Sequence, residues 1–195
     1  MKKLFLVFSV AVSSFAFSQA ETPIDYSKFN YSLLERMIID EINDYRVTIG
    51  LKELYTSKVL KDSYSSVTAS INAKQDKSFH TTFNHYDNIV TEKLYNELYK
   101  STNGECGNEM PFNLFIKQSG EIIAIASSEY STTYEDLATS IVQAWLDSPG
   151  HKKIIETKFE HASGHPGQIS CCVKKSTSDI FYFAVGFVLL EYISN

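Results

Sequence analysis

The stretch Ile180-Phe-Tyr-Phe-Ala-Val-Gly-Phe-Val-Leu-Leu190 constrains this chain more than any other. It is apolar almost without interruption and rich in Phe, Tyr and Val. That is the composition of a strand inside a sheet rather than at its rim. A strand with one wet face alternates apolar and polar residues; this one does not, so both of its faces need cover. The preceding segment, Gln168 to Lys174, reads as the other arm of a hairpin that turns through Lys175-Ser-Thr-Ser178. The cover must come from the helix-rich N-terminal part. The predicted fold is therefore α+β: a three-layer α-β-α sandwich around a small, largely antiparallel sheet.

Helical spacing supplies the outer layers. Leu34, Ile38, Ile42 and Tyr45 recur at helical intervals over Tyr31 to Thr48, and Gly50 stops that helix. Ser57 to Ala73 is a second helix, with Leu60, Tyr64, Val67 and Ile71 on one stripe. Asp87 to Tyr99 predicts a third, opened by Asp87 and carrying Val90, Leu94 and Leu98. Asn103-Gly104 and Gly107-Asn108 are turn pairs. Phe112 to Lys117 predicts a short strand, and Glu121 to Ala126 a strand or loop. Ser131-Thr-Thr133 opens a helix through Leu137, Ile141 and Trp145. Ser148-Pro149 starts a further short helix, with Ser as N-cap and Pro at the first turn.

Residues 1–20 stand apart. Met1-Lys-Lys3 is basic, Leu4 to Phe17 is an apolar run broken only by serines, and small residues follow at Ser18 and Ala20. This is the pattern of a cleaved secretory signal peptide, and the run is short for a membrane span. Residues 21–30 read as a short leader and 31–195 as a single domain. No later segment is long and apolar enough to cross a bilayer. The expected location is secreted, periplasmic or extracellular. Losing Lys2 and Lys3 takes 18 basic residues to 16 against 23 acidic ones, a net charge of −7. An acidic exported domain argues against nucleic acid as a partner. The expected partner is a small ligand, a lipid or an envelope or extracellular protein, and the expected state is a monomer.

Export also permits disulfides. The cysteines are Cys106, Cys171 and Cys172. Adjacent cysteines rarely bond to each other and on a strand point to opposite faces. Cys106 with Cys171 or Cys172 is the expected pairing, against the alternative of buried free thiols.

The candidate chemistry lies in two short segments, Gly120-Glu-Ile-Ile-Ala124 and Trp145-Leu-Asp-Ser-Pro-Gly-His151. His151 falls at the third position of the short helix, where the helix dipole favours a neutral ring. A buried Glu121 carboxylate needs a partner, and a histidine across a cleft would serve. The alternative is that the two merely tie loops together. His80 and His85 are five apart, which fits neither a helical zinc pair nor a tight hairpin pair. Two histidines and a glutamate make an acceptable open zinc set. His161 and His165 read as loop residues. Ser148 has no nucleophile-elbow context and reads as an N-cap.

These segments resemble the CAP superfamily, the secreted SCP domains. Ile42-Asn-Asp-Tyr-Arg46 with Gly50-Leu51 and Leu54 is similar to that family's opening helix and turn. Gly120 to Ala124 resembles its Gly-Glu-Asn-Ile-Ala segment, with Ile122 in place of Asn. Trp145 to His151 resembles its Trp-x-x-Ser-Pro-Gly-His motif, and Phe181 to Phe187 its closing strand. Beside that family, the helix predicted over Asp87 to Tyr99 is expected to be part of a helical insertion near residues 85–110. The resemblance implies an α-β-α sandwich with a cavity lined by His80, Glu121, Ser148 and His151, His85 being the fallback for His80. It implies a divalent cation such as zinc on His80 and His151. Three functions follow as expectations: a metal-, lipid- or ligand-binding module; a metal-assisted hydrolase with Glu121 as general base and His151 beside it; or a non-catalytic envelope protein.

Overall fold

The strand rich in Phe, Tyr and Val sits where its composition demands, inside the sheet. The structure is a computed structural model that describes residues 21, 23–80, 92–94, 96–97, 114–127, 132–162 and 164–192. Residues 1–20, where a signal peptide is expected, His85, Cys106 and most of the expected insertion lie outside the described residues.

The elements run α1 (Tyr31–Thr48), β1 (Tyr55–Thr56), α2 (Lys58–Leu60), a π turn (Lys61–Ser65), α3 (Ser66–Gln75), β2 (Leu114–Ser127), α4 (Tyr134–Asp147), α5 (Pro149–Ile155), β3 (Gln168–Lys175) and β4 (Ile180–Tyr192). The sheet order is β1-β3-β4-β2. β4 pairs antiparallel with β3, from Gln168 opposite Val188 to Lys175 opposite Phe181. It pairs antiparallel with β2, with a register irregularity between Ile116 and Gln118. β1 adds a two-residue parallel edge to β3.

Alternation along β4 divides the core into two layers. Phe181, Phe183, Val185, Phe187 and Leu189 pack with Ile38 and Ile42 of α1 and with Leu137, Ile141 and Trp145 of α4. On the other face Val188 and Leu190 meet Leu60, Tyr64 and Leu94, and Ala184 meets Ala69. Helices therefore cover both faces, and the chain is an α-β-α sandwich with a mostly antiparallel sheet. No helix among the described residues is long and apolar enough to cross a membrane.

Several expectations shift. The second helix is not uniform. The π turn at Lys61–Ser65 inserts one residue into the helical register. Val67, expected on the buried stripe, is 45% exposed, and Thr68, Ala69 and Asn72 are buried instead. The two segments expected at 112–117 and 121–126 are one strand, β2, because thirteen consecutive residues of β4 offer it a continuous partner. Of the predicted third helix, residues 92–94 and 96–97 are helical, and Leu94 is buried. Glu97 accepts the Val59 N–H at 2.8 Å and so caps the start of α2 from outside.

Cys171 and Cys172 point to opposite layers, as adjacent strand residues must. Both are free, buried thiols. The partner expected for one of them, Cys106, lies outside the described residues. Burial pushes the Cys171 thiol well up and that of Cys172 up to about 11, which keeps both protonated and unreactive.

Candidate functional site

His80 reaches the site through a braced turn. α3 ends at Asp76, which adopts the left-handed conformation at φ 52°. Ser178 and Tyr182 donate to the Asp76 carboxylate at 2.8 and 2.9 Å and hold its pKa below the usual range. One turn back, the buried Asn72 side chain grips Phe79 at both ends. Its Nδ2 donates to the Phe79 carbonyl at 3.1 Å, and its Oδ1 accepts the Phe79 N–H at 3.3 Å. The next residue is His80.

Glu121 arrives on β2, opposite Gly186 of β4. Its neighbour Gly120 explains why α5 can lie against this strand. A Cβ there would come within 2.6 Å of Ile154 Cγ2, so only glycine permits the close approach. α5 carries His151. Its far end is fixed by Arg46, 1% exposed, whose guanidinium donates to the carbonyls of Ile155, Thr157 and Lys52. Burial lowers the Arg46 pKa to about 10, still charged near neutrality. Trp145 ties α4 to the same strand by donating its indole N–H to the Ile123 carbonyl at 2.9 Å.

The histidine and the glutamate meet. His80 Nδ1 lies 3.1 Å from Glu121 Oε2. The His80 side chain is 58% exposed and that of Glu121 only 10%. Among the described residues, the second carboxylate oxygen, Oε1, is buried with no hydrogen-bond partner. Burial lowers the His151 pKa, and the charge of His80 lowers it further. The ring is therefore biased toward its neutral form and lies within electrostatic reach of His80. His80 at α3's exit and Glu121 on β2 thus meet, and His151 on α5, 71 residues beyond His80 in sequence, lies near enough to feel the charge of His80.

Other candidates fall elsewhere. Ser148 occupies the N-cap position of α5, but its side chain makes no capping bond. It also closes α4, donating its N–H to the Trp145 carbonyl at 3.2 Å, and its own carbonyl accepts from Lys152 at 2.9 Å. The expected cap is thus supplied in position only. His161 and His165 sit in a tight loop closed by Gly164 at φ 86°, His161 N–H donating to the His165 carbonyl. Among the described residues no group of three or more His, Cys, Asp or Glu side chains is placed to hold a metal ion. Of the expected ligands, His80 is hydrogen-bonded to Glu121, and His151 lies within electrostatic reach of His80. Asn72, which no motif singled out, is the residue that sets the position of His80.

No protein-family model matches this chain, and no curated protein matches it. Solved structures do. An outer surface protein from Borrelia burgdorferi is similar with a TM-score of 0.51 at 18% identity, covering 80% of this chain and 92% of that one. An extracellular protein containing an SCP domain from Bacillus anthracis str. Ames gives a TM-score of 0.44 at 17% identity. That match covers 86% of this chain and 45% of the other. The first similarity is one of fold.

Proposed function

We propose that this chain is an exported binding module of the CAP/SCP type whose His80–Glu121–His151 cleft takes a small polar ligand. The observation that carries the reading is Glu121. A carboxylate oxygen buried without a partner is costly, and native structures pair nearly all such atoms. Here the other oxygen is met by an exposed histidine, and His151, whose pKa burial lowers, lies within electrostatic reach of that histidine. A ligand that brings a hydrogen-bond donor or a divalent cation to Oε1 would relieve the cost. The order of the Ile42–Arg46, Gly120–Ala124 and Trp145–His151 segments, together with the sandwich they build, supports the family reading. The basic and apolar segment of residues 1–17 supports export.

The test is calorimetric titration of residues 21–195 with zinc, beside His80→Ala and His151→Ala. One-site binding lost in both variants supports a cation-binding cleft. No heat from a folded wild type removes zinc as the ligand. If Glu121→Leu then also leaves the folding stability lower, the cluster is a structural tie and the cleft reading fails.

A further inference from the structure

A second cavity lies at the opposite edge of the sheet. It measures about 300 Å³ and is bounded by α1, β1, α2 and β3. Ile39 and Cys171 form its apolar floor, while Arg36, Lys58 and Lys61 are its cations and Glu35 its carboxylate. Strand order puts it two strands from β2, so it is separate from the His80–Glu121 cleft.

The cavity is a gap in a ladder. β1 ends after Thr56, and its last bond to β3 runs from the Ser57 N–H to the Ile169 carbonyl at 2.8 Å. Two register steps further on, the Val173 N–H is taken by Glu35 Oε1 at 3.0 Å. Backbone groups along a strand face the same edge at every second residue. The N–H and C=O of Cys171 lie midway between Ile169 and Val173 and so face this edge too. The chain does not continue β1 across them, because Ser57 starts α2.

Glu35 shows what this edge recognises. One of its oxygens accepts a strand N–H, and the other accepts from Lys61 Nζ at 2.5 Å. A carboxylate held by a main-chain amide and a lysine is thus already built one step along. Arg36 and Lys58 stand beside the open position. Lys58 is shared with Asp62, both side chains being largely exposed, so that pair is open to exchange. The Ser57 hydroxyl is turned to Glu97 and is not counted.

We infer that this gap binds the C-terminal end of a short extended peptide. Its last amide pairs with the Cys171 edge as a continuation of β1, and its carboxylate lies among Arg36, Lys58 and Lys61. The volume suits two residues, at the small end of ligand sites. Ile39 favours a small apolar side chain.

The test uses residues 21–195 labelled with 15N, titrated with the dipeptide alanyl-valine, its C-terminal amide, and acetate. The dipeptide is expected to shift the Cys171 and Ser57 amide resonances at millimolar concentration. The amide should bind about tenfold more weakly, and Arg36→Gln with Lys58→Gln should weaken the dipeptide by a similar factor. Both substitutions replace exposed side chains, and the ligand series gives the answer on the unmodified chain as well. Equal binding of the amide overturns carboxylate recognition. Equal binding of acetate overturns strand pairing. No shift at Cys171, or shifts centred on Glu121, overturns the site.

Discussion

Asn72→Ala should loosen the site without dismantling the fold. Asn72 is 1% exposed, and both of its amide groups bond to the backbone of Phe79. Each bond contributes about 1 kcal/mol net, so their joint loss is worth about 2 kcal/mol. That cost falls mainly on the turn after α3, because Ala69 and the β4 contacts of the helix remain. A local opening eased by about 2 kcal/mol raises amide exchange roughly thirtyfold. The Phe79 amide should therefore exchange that much faster, while amides of β3 and β4 change little. A second reporter is independent of exchange. The charge of His80 contributes to the lowered pKa of His151, so a displaced His80 should let that pKa rise part of the way toward its ordinary value. Burial, the larger cause, persists. Imidazole resonances followed against pH would read it. If Phe79 exchange is unchanged, or if it rises while the His151 pKa stays fixed, Asn72 is not what places His80.

Three further outcomes follow from the same geometry. In the wild type, His151 should titrate below the usual histidine pKa, and His80→Gln should raise it only partly, as NMR titration would show. The linked stability has a definite sign. Because the folded pKa is the lower one, the unfolded chain binds the proton first, and stability falls as pH drops below about 6.5; urea midpoints at several pH values, with and without His151→Gln, would check this. Glu121→Leu removes a buried carboxylate oxygen that has no partner and releases only an exposed histidine. It should raise stability by about 1 kcal/mol while ending any ligand binding at the cleft; a loss above about 2 kcal/mol in urea unfolding would instead mark Glu121 as structural. Gly186→Ala would bring a Cβ within 2.6 Å of the Tyr64 ring. It should destabilise by about 1–3 kcal/mol in the same assay, and a neutral result would mean that Tyr64 withdraws freely.

The parts of the fold that were legible are those where one physical signal acts alone. α1 could be bounded from sequence because an apolar stripe begins at Leu33 and Leu34 and Gly50, at φ 80°, ends it. β4 was legible because nothing but a doubly covered strand buries Phe181 to Leu190. The second helix was misread at Val67 because a π turn is set by packing against the sheet, not by local spacing. β2 was read as two pieces because Lys117, Gln118 and Ser119 are polar. It is an edge strand of the sheet, with one pairing partner among the described residues, so polar side chains cost it little there. At the site, the motifs named His80, Glu121 and His151, and the structure pairs His80 with Glu121 and sets His151 within electrostatic reach of His80. They did not name Asn72 or Asp76, since a buried asparagine and a left-handed aspartate carry no chemistry of their own. Their role exists only once α3 has been laid against β4.

Two buried glutamates make the strongest case for where function lies. Glu35 is 7% exposed, and its carboxylate is fully accounted for by Val173 N–H and Lys61. It replaces the missing end of β1 and holds α1 to β3. Removing it would leave the Lys61 ammonium and a strand amide without their partner, so its role is structural. Glu121 is enclosed to a similar degree but has one exposed histidine on one oxygen and no partner among the described residues on the other. Burying a carboxylate in that state stabilises nothing. A fold under selection for stability alone would place an apolar residue there, as it does next door at Ile122 and Ile123. The same chain thus satisfies one buried carboxylate and leaves another short of a partner. The unmet oxygen is where a ligand has something to gain.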